Sequence, residues 1–239
     1  MFDDEITAVI LAGGFGTRLR SVVSDRPKVL AKIGNRPFIL FLLEQIKKVN
    51  VRNVVLCIGY QGDKIRAELG SSYGDVWLKY SEETIPLGTA GALRLAMPLF
   101  QSKTLLVMNG DSYCDIDLKD FFEWHCVKKA QASLVIAKEN DVRGLGFVQT
   151  NAGGAVTHFQ EKIAVSRPGC VNAGVYLINS SLIRTIPENV EVSLEYTVLP
   201  TWIGQGLFGY QFTGKRLDIG IPENYAKAER FFDLKVPPK

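Results

Sequence analysis

The residues best suited to chemistry lie in one run, Leu11-Ala12-Gly13-Gly14-Phe15-Gly16-Thr17-Arg18-Leu19, with Pro27-Lys28 further on. Gly13, Gly14 and Gly16 free the backbone to turn and present its N–H groups. Successive N–H groups make a concavity that suits an anion. Thr17 adds a hydroxyl, and Arg18 and Lys28 add two fixed positive charges. The apolar run Ile6 to Leu11 just before them reads as a short buried strand. Strand, glycine loop and two cations are the parts needed to hold a triphosphate. Two common phosphate loops do not fit the spacing. The Walker pattern needs Gly-Lys-Ser/Thr where Gly16-Thr17-Arg18 stands, and the dinucleotide fingerprint needs a glycine where Leu19 stands.

Acids at other strand ends supply the complement. Asp111 follows Asn109-Gly110 at the end of the apolar run Thr104 to Met108. A carboxylate there, with no crowding side chain before it, can reach a hard cation. Magnesium prefers one or two carboxylates plus waters and phosphate oxygens. Asp218, in Leu217-Asp218-Ile219-Gly220, is the natural second ligand. Ligands of open parallel sheets sit beyond the carboxyl ends of the strands. The ends at Gly13-Gly14, Asn109-Gly110-Asp111 and Asp218 are therefore expected to meet in one crevice.

The first motif resembles the LAGGxGTRL signature of the sugar-1-phosphate nucleotidyltransferases, with its following Pro-Lys pair, and the resemblance extends along essentially the whole chain. It implies an α/β, Rossmann-like three-layer fold with a mainly parallel mixed central sheet. It also implies that Leu11, Ala12, Gly13, Gly14, Gly16, Thr17 and Gly110 line the nucleotide, and that Asp111 and Asp218 hold Mg²⁺. Arg18 would shield the β/γ-phosphates, and Lys28 would neutralise charge near the α-phosphate. At the sugar end, Glu161-Lys162 stands for the family's Glu-Lys-Pro with Ile163 in place of proline, Asn172-Ala173-Gly174 matches its Asn-Ala-Gly, and Gly146 matches the glycine packed on the sugar. Leu87-Gly88-Thr89-Ala90-Gly91 resembles the loop of guanylyl-transferring members, with Glu82 or Glu83 upstream to accept from a guanine edge. Glu195, in Ser193-Leu194-Glu195, matches a residue of some relatives but receives no role.

The resemblance is nearest to the branch that transfers GMP from GTP to D-glycero-α-D-manno-heptose 1-phosphate, giving GDP-heptose for a polysaccharide. The Arg18 to Val23 continuation and the end of the chain soon after its closing helix favour that branch. A mannose- or glucose-1-phosphate nucleotidyltransferase using another base is the alternative. A nucleotide-sugar sensor without turnover is the rival from another class, and the intact set Arg18, Lys28, Asp111 and Asp218 argues against it. A glycosyltransferase would use Asp115-Ile116-Asp117, which instead reads as a helix start. The chemistry needs no histidine. A phosphate monoester with its second pKa near 6 is already an oxygen nucleophile at neutral pH. Catalysis is then mostly positioning and electrostatic stabilisation.

These residues must be placed by their elements. Phe38, Leu42, Ile46 and Val49 form one helical stripe, and helices are also expected over 63–69, 89–97 and from an Asp117 cap through Lys129. Apolar strands are expected over 54–58, 76–80, 104–108 and 132–137, so the first part alternates strand and helix and predicts a covered, mainly parallel sheet. A hairpin is expected around Asn151-Ala152-Gly153-Gly154, then a strand over 171–178, a helix over 194–203, a strand over 208–213 and a helix over 222–232. One nucleotidyltransferase domain of 239 residues fits, with a nucleotide half over 1–115 and a sugar half over 116–239.

Bulk properties narrow the classes. The net charge of +3 without a Lys/Arg cluster argues against nucleic acid as partner. The apolar runs are short and the N-terminus carries Asp3, Asp4 and Glu5, so neither a membrane span nor a signal peptide is expected, and a cytoplasmic location follows. Four scattered cysteines and two histidines make a zinc site improbable, and packing accounts for them better. The expected partners are GTP and a sugar 1-phosphate, and dimers are common in such families.

Overall fold

A computed structural model describes residues 5–234. The first half alternates as its pattern requires. Strand β1 (Ile6–Leu11) leads into the glycine loop and a small hairpin of β2 (Lys32–Ile33) and β3 (Arg36–Pro37). Then come α1 (Ile39–Lys48), β4 (Asn53–Ile58), α2 (Gly62–Leu69), β5 (Ser72–Tyr73), β6 (Val76–Glu82), α3 (Gly88–Ala96) and β7 (Thr104–Asn109). Strands β7, β1, β4 and β6 lie side by side, all parallel.

The second half extends the same sheet with reversed strands. It holds β8 (Ser112–Cys114), α4 (Leu118–Val127), β9 (Ala132–Glu139), β10 (Phe147–Thr150), β11 (Val156–Gln160), β12 (Gly169–Asn179) and α5 (Ser180–Ile183). After α5 follow α6 (Leu199–Thr201), β13 (Leu207–Phe212), β14 (Arg216–Asp218), α7 (Pro222–Tyr225) and α8 (Ala228–Phe231). The long β12 is antiparallel to β7, β9 and β10, while β13 is parallel to β9. The expected hairpin is β10–β11.

Both faces of the sheet are covered, which is why its strands read as unbroken apolar runs. Along β1, Ala8 and Ile10 face a core shared with Leu42 and Ile46 of α1, Ile65 of α2 and Phe121 of α4. Val9, between them, faces the other core with Ala90 and Leu93 of α3. That is a three-layer αβα arrangement. Among the described residues no helix is long and apolar enough to cross a membrane.

Two expected helices are interrupted. Over 194–203 the chain winds first as a π-turn at Leu194–Val198, with the Val198 N–H on the Ser193 carbonyl five residues back, and only then as α6. Pro200 has no N–H for the carbonyl four residues before it, so a uniform α-ladder cannot form there. The closing helix divides into α7 and α8 because the Lys227 N–H bonds to Asn224, three residues back. Asp117 caps α4 as expected, its Oδ1 accepting from Lys119 N at 2.8 Å and Asp120 N at 3.1 Å, though α4 ends at Val127 rather than Lys129.

His125 lies on the buried face of α4, 6% exposed, with Nδ1 2.8 Å from Ser133 Oγ. Burial pulls its pKa down from 6.5 to about 4. Between those values the unfolded chain binds more protons than the folded one, so stability is complete above pH 6.5 and falls as pH drops toward 4. The expected loss is roughly 2–3 kcal/mol. Urea unfolding at pH 7 and 4.5 measures it, and a His125→Gln variant should lack that part of the pH slope. An equal slope in both proteins would refute it.

Candidate active site

The glycine loop turns where β1 ends. Ala12 N donates to the Cys57 carbonyl at 2.8 Å, and Leu19, 1% exposed, anchors the far side in the core. Gly16 has φ +61°, a left-handed conformation, and a Cβ there would stand 3.2 Å from Lys28 Cβ. The loop is therefore folded onto the residue that carries its second cation. Gly110 at the end of β7 gives its N–H to the Leu11 carbonyl at 2.9 Å, and a Cβ would approach that oxygen to 2.6 Å. Only glycine lets β7 bring Asp111 this close to the end of β1.

Lys28 sits on a single 3₁₀ turn, Lys28–Leu30, and its ammonium pairs with Asp111 Oδ2. The two side chains are 18% and 21% exposed. Asp218 arrives from far along the chain through a device absent from the expected elements. Strands β8 and β14 pair antiparallel with Asp218 opposite Ser112, and Ile219 N bonds the Asp111 carbonyl at 2.9 Å. At Gly220 a Cβ would lie 2.7 Å from Asp218 Oδ1, 3.3 Å from Asp111 Oδ2 and 3.2 Å from Arg18 Nη2. The four residues expected to do the chemistry are thus gathered at one place.

Charge is unequally shared there. Burial pushes the Asp111 carboxyl up, but the Lys28 charge and hydrogen bond, with the Ser112 hydroxyl, outweigh it and hold Asp111 below its ordinary value. Burial and the charge of Asp111 push Asp218 above its ordinary value, against the Gly220 N–H, Lys28 and Arg18. Two carboxylates crowded over a glycine with no side chain leave space between them of the kind a divalent cation needs. Among the described residues no three His, Cys, Asp or Glu side chains gather to enclose a metal. A two-carboxylate set completed by water and phosphate oxygens suits Mg²⁺ rather than a metal that needs an all-protein cage.

A cleft of about 340 Å³ opens beside this cluster. Leu11, Ala12, Gly13 and Gly14 form one wall with Lys28 and Asp111, and Glu83, Gly88 and Thr89 form another. Gly16 borders a smaller hollow with Lys28, Thr17 is exposed, and Gly110 lies behind Leu11. Between the two candidate acids the geometry chooses Glu83. Glu82 points outward and pairs with Arg66 at 3.0 Å. Glu83 Oε1 lies 2.8 Å from where a Gly13 Cβ would be and 2.7 Å from that of Gly59, so both glycines are needed to admit it. Glu83 Oε2 accepts from Leu87 N at 3.1 Å. Burial raises its pKa, opposed by that bond.

Thr89 lines the cleft, but its hydroxyl is already engaged, donating to Glu195 Oε2 and accepting from Leu194 N, both at 2.7 Å. It does not cap α3, whose N-cap position is Leu87.

The residues expected at the sugar end form a second cluster. A Gly146 Cβ would lie 2.5 Å from Glu161 Oε2 and 3.3 Å from Asn172 Cβ. Burial, and then the charge of Glu195, raise the Glu161 pKa, opposed by Lys162. Lys162 has φ +51°, with Nζ 5.6 Å from the Tyr196 ring centre. Ile163 uses its N–H on the Leu145 carbonyl at 3.2 Å, a bond proline could not make, and buries its side chain with Val142 and Phe147. Asn172 stands where β12 slips register against β9, next to Gly174 at φ +77°. A bulge of this kind re-aims a side chain. Sequence reasoning missed Tyr176, and it placed Asn109 at the crevice without giving its side chain a role. Asn109 lines the cleft at the Asp111 strand end, and its Oδ1 is buried with no hydrogen-bond partner among the described residues.

The nucleotidyl transferase family pattern matches residues 7–233. D-glycero-alpha-D-manno-heptose 1-phosphate guanylyltransferase from Aneurinibacillus thermoaerophilus is 33% identical over 93% of this chain and 96% of its own length. Mannose-1-phosphate guanylyltransferase catalytic subunit beta from Drosophila melanogaster is 34% identical over 91% of this chain and 60% of its own length. Among solved structures, HddC from Yersinia pseudotuberculosis complexed with GMP-PN has a TM-score of 0.82 at 30% identity, over 95% of this chain and 99% of that one.

Proposed function

Because this chain belongs to the nucleotidyl transferase family, we propose that it transfers GMP from GTP to D-glycero-α-D-manno-heptose 1-phosphate, releasing pyrophosphate and GDP-heptose. The observation that carries the reading is the meeting of Lys28, Arg18, Asp111 and Asp218 beside a cleft walled by the glycine loop. The sugar phosphate oxygen attacks the α-phosphorus, a new P–O bond forms, and the bond to the β-phosphate oxygen breaks. No side chain has to remove a proton, since the phosphate monoester is already ionised. What the protein must do is bring two anions together and absorb the charge that builds on the leaving group. Lys28 does this at the α-phosphate and Arg18 at the departing pyrophosphate. Asp111 and Asp218 would hold Mg²⁺, which supplies further charge neutralisation to the phosphates when bound.

Guanine is favoured by Glu83. Guanine offers two adjacent donors, N1–H and the 2-amine, and a carboxylate accepts both. Oε2 of Glu83 is occupied by Leu87, and Oε1 faces Gly13 and Gly59 at the cleft wall. Heptose is favoured by the relative of that activity, matched over 96% of its length. Mannose 1-phosphate is the second reading, since the relatives acting on it are as similar over the shared region.

Pyrophosphate release over a grid of GTP, ATP, CTP, UTP and dTTP against heptose, mannose and glucose 1-phosphates decides. The largest kcat/KM is expected for GTP with heptose 1-phosphate. A larger value with mannose 1-phosphate moves the substrate, and a larger value with another base removes Glu83 from its role.

A further inference from the structure

Glu195 belongs to neither cluster by position in the chain, yet its carboxylate touches both. Oε2 accepts from Thr89 Oγ1 at 2.7 Å and from Ser193 Oγ at 3.2 Å. Oε1 accepts from the Tyr176 hydroxyl at 3.3 Å. That hydroxyl in turn accepts from Asn172 Nδ2 at 2.7 Å, while Asn172 Oδ1 accepts from Gly174 N at 3.1 Å. Donors and acceptors run one way along the chain of bonds, because an ionised carboxylate only accepts. The Asn172 amide therefore has a single orientation, with one N–H and one lone pair left over.

Tyr176 has no exposed surface and packs in the core with Val9, Leu134 and Leu199. Phenylalanine would fill that space equally well. A buried phenol hydroxyl is costly unless bonded, and this one is bonded only to Asn172 and Glu195 among the described residues. Its service is to the amide at the edge of the β12 register shift, whose other bond is the Gly174 N–H on Oδ1.

We propose that Tyr176 and Glu195 are positioning residues for sugar recognition: Tyr176 holds the Asn172 amide in one orientation toward the sugar 1-phosphate, and Glu195 ties that amide to the start of α3 on the nucleotide side. The proposal rests on the assignment of Asn172 to the sugar end under the function proposed above.

Steady-state pyrophosphate release is measured for Tyr176→Phe, Asn172→Ala and the double variant. Tyr176→Phe should raise KM for heptose 1-phosphate about tenfold, leave KM for GTP within about twofold, and melt near the wild type. In the Asn172→Ala background the same change should add less than about twofold, because it acts through a side chain no longer there. Glu195→Ala frees both ends and should raise both KM values about fivefold. A full tenfold effect of Tyr176→Phe on top of Asn172→Ala, equal shifts in both KM values from Tyr176→Phe, or no shift at all, overturns the proposal. Calorimetric titration of heptose 1-phosphate and of mannose 1-phosphate into wild type and Tyr176→Phe reads the same tenfold weakening without turnover. A wild type that binds a sugar phosphate but releases no pyrophosphate sinks the proposed reaction and not this inference. Equal binding by both proteins sinks the inference alone.

Discussion

Lys28→Ala is expected to lower kcat by about 10²–10³-fold while the protein still folds. The argument starts from where the ammonium is held. Pro27 enters the 3₁₀ turn extended, Val29 and Leu30 behind it are buried, and the side chain is pinned between Gly16 and Asp111. A charge fixed in advance at the mouth of the cleft costs little reorganisation when negative charge develops. The same pinning predicts the pattern of the loss. Lys28→Arg keeps the charge but needs more room against Gly16, so it should recover only part of the rate. GTP binding should suffer less than kcat, since Arg18 and the loop N–H groups remain. Circular dichroism and thermal melting establish that Lys28→Ala is folded, and single-turnover rates with GTP isolate the chemical step. A rate near that of the wild type would remove Lys28 from the reaction.

How much of this was legible in the sequence depends on the range of the interaction. The glycine loop could be read because its chemistry is local: Gly13, Gly14 and Gly16 sit within four residues of one another and follow an apolar strand. The alternation of β1, α1, β4, α2, β6, α3 and β7 was readable for the same reason, since burial on both faces leaves continuous apolar runs. The meeting of Asp111 and Asp218 was expected only by analogy with strand ends. Its actual cause is the pairing of β8 with β14, two three-residue strands whose half-polar sequences carry no periodic signal. The choice between Glu82 and Glu83 was not legible, because continuing the buried Val76 and Leu78 by alternation points to Glu82. The structure breaks that pattern: Ser81 is buried and Glu82 exposed, so Glu83 shares the Ser81 face just past the end of the strand. Glu195 was visible as a residue but not as a bridge, because its three partners come from α3, β12 and the turn before its own π-turn.

Asp218→Asn should abolish most of the activity, by about 10²-fold or more, and yet make the metal-free protein more stable by about 1 kcal/mol. In the free protein Asp218 is a half-buried acid beside another half-buried acid, its pKa raised first by burial and next by Asp111. Asparagine removes that repulsion and keeps the shape. Its Oδ1 can still accept the Gly220 N–H, which meets Asp218 Oδ1 at 2.6 Å, and its Nδ2 is free to donate toward Asp111. Asp111→Asn, by contrast, removes the partner of the Lys28 ammonium and should lose stability as well as activity. The two isosteric changes therefore have opposite signs on the fold and the same sign on catalysis. That asymmetry separates a carboxylate held for a ligand from one that also holds the structure. Urea unfolding in EDTA at pH 7 reads the first effect, and the rise in melting temperature on adding Mg²⁺ reads the second. A ligand that binds only the native state raises its melting point, so Mg²⁺ should stabilise the wild type and leave Asp218→Asn nearly unmoved. An equal Mg²⁺ effect on both proteins would take the cation away from Asp218, and a less stable Asp218→Asn would mean that the crowding of the two acids carries no strain.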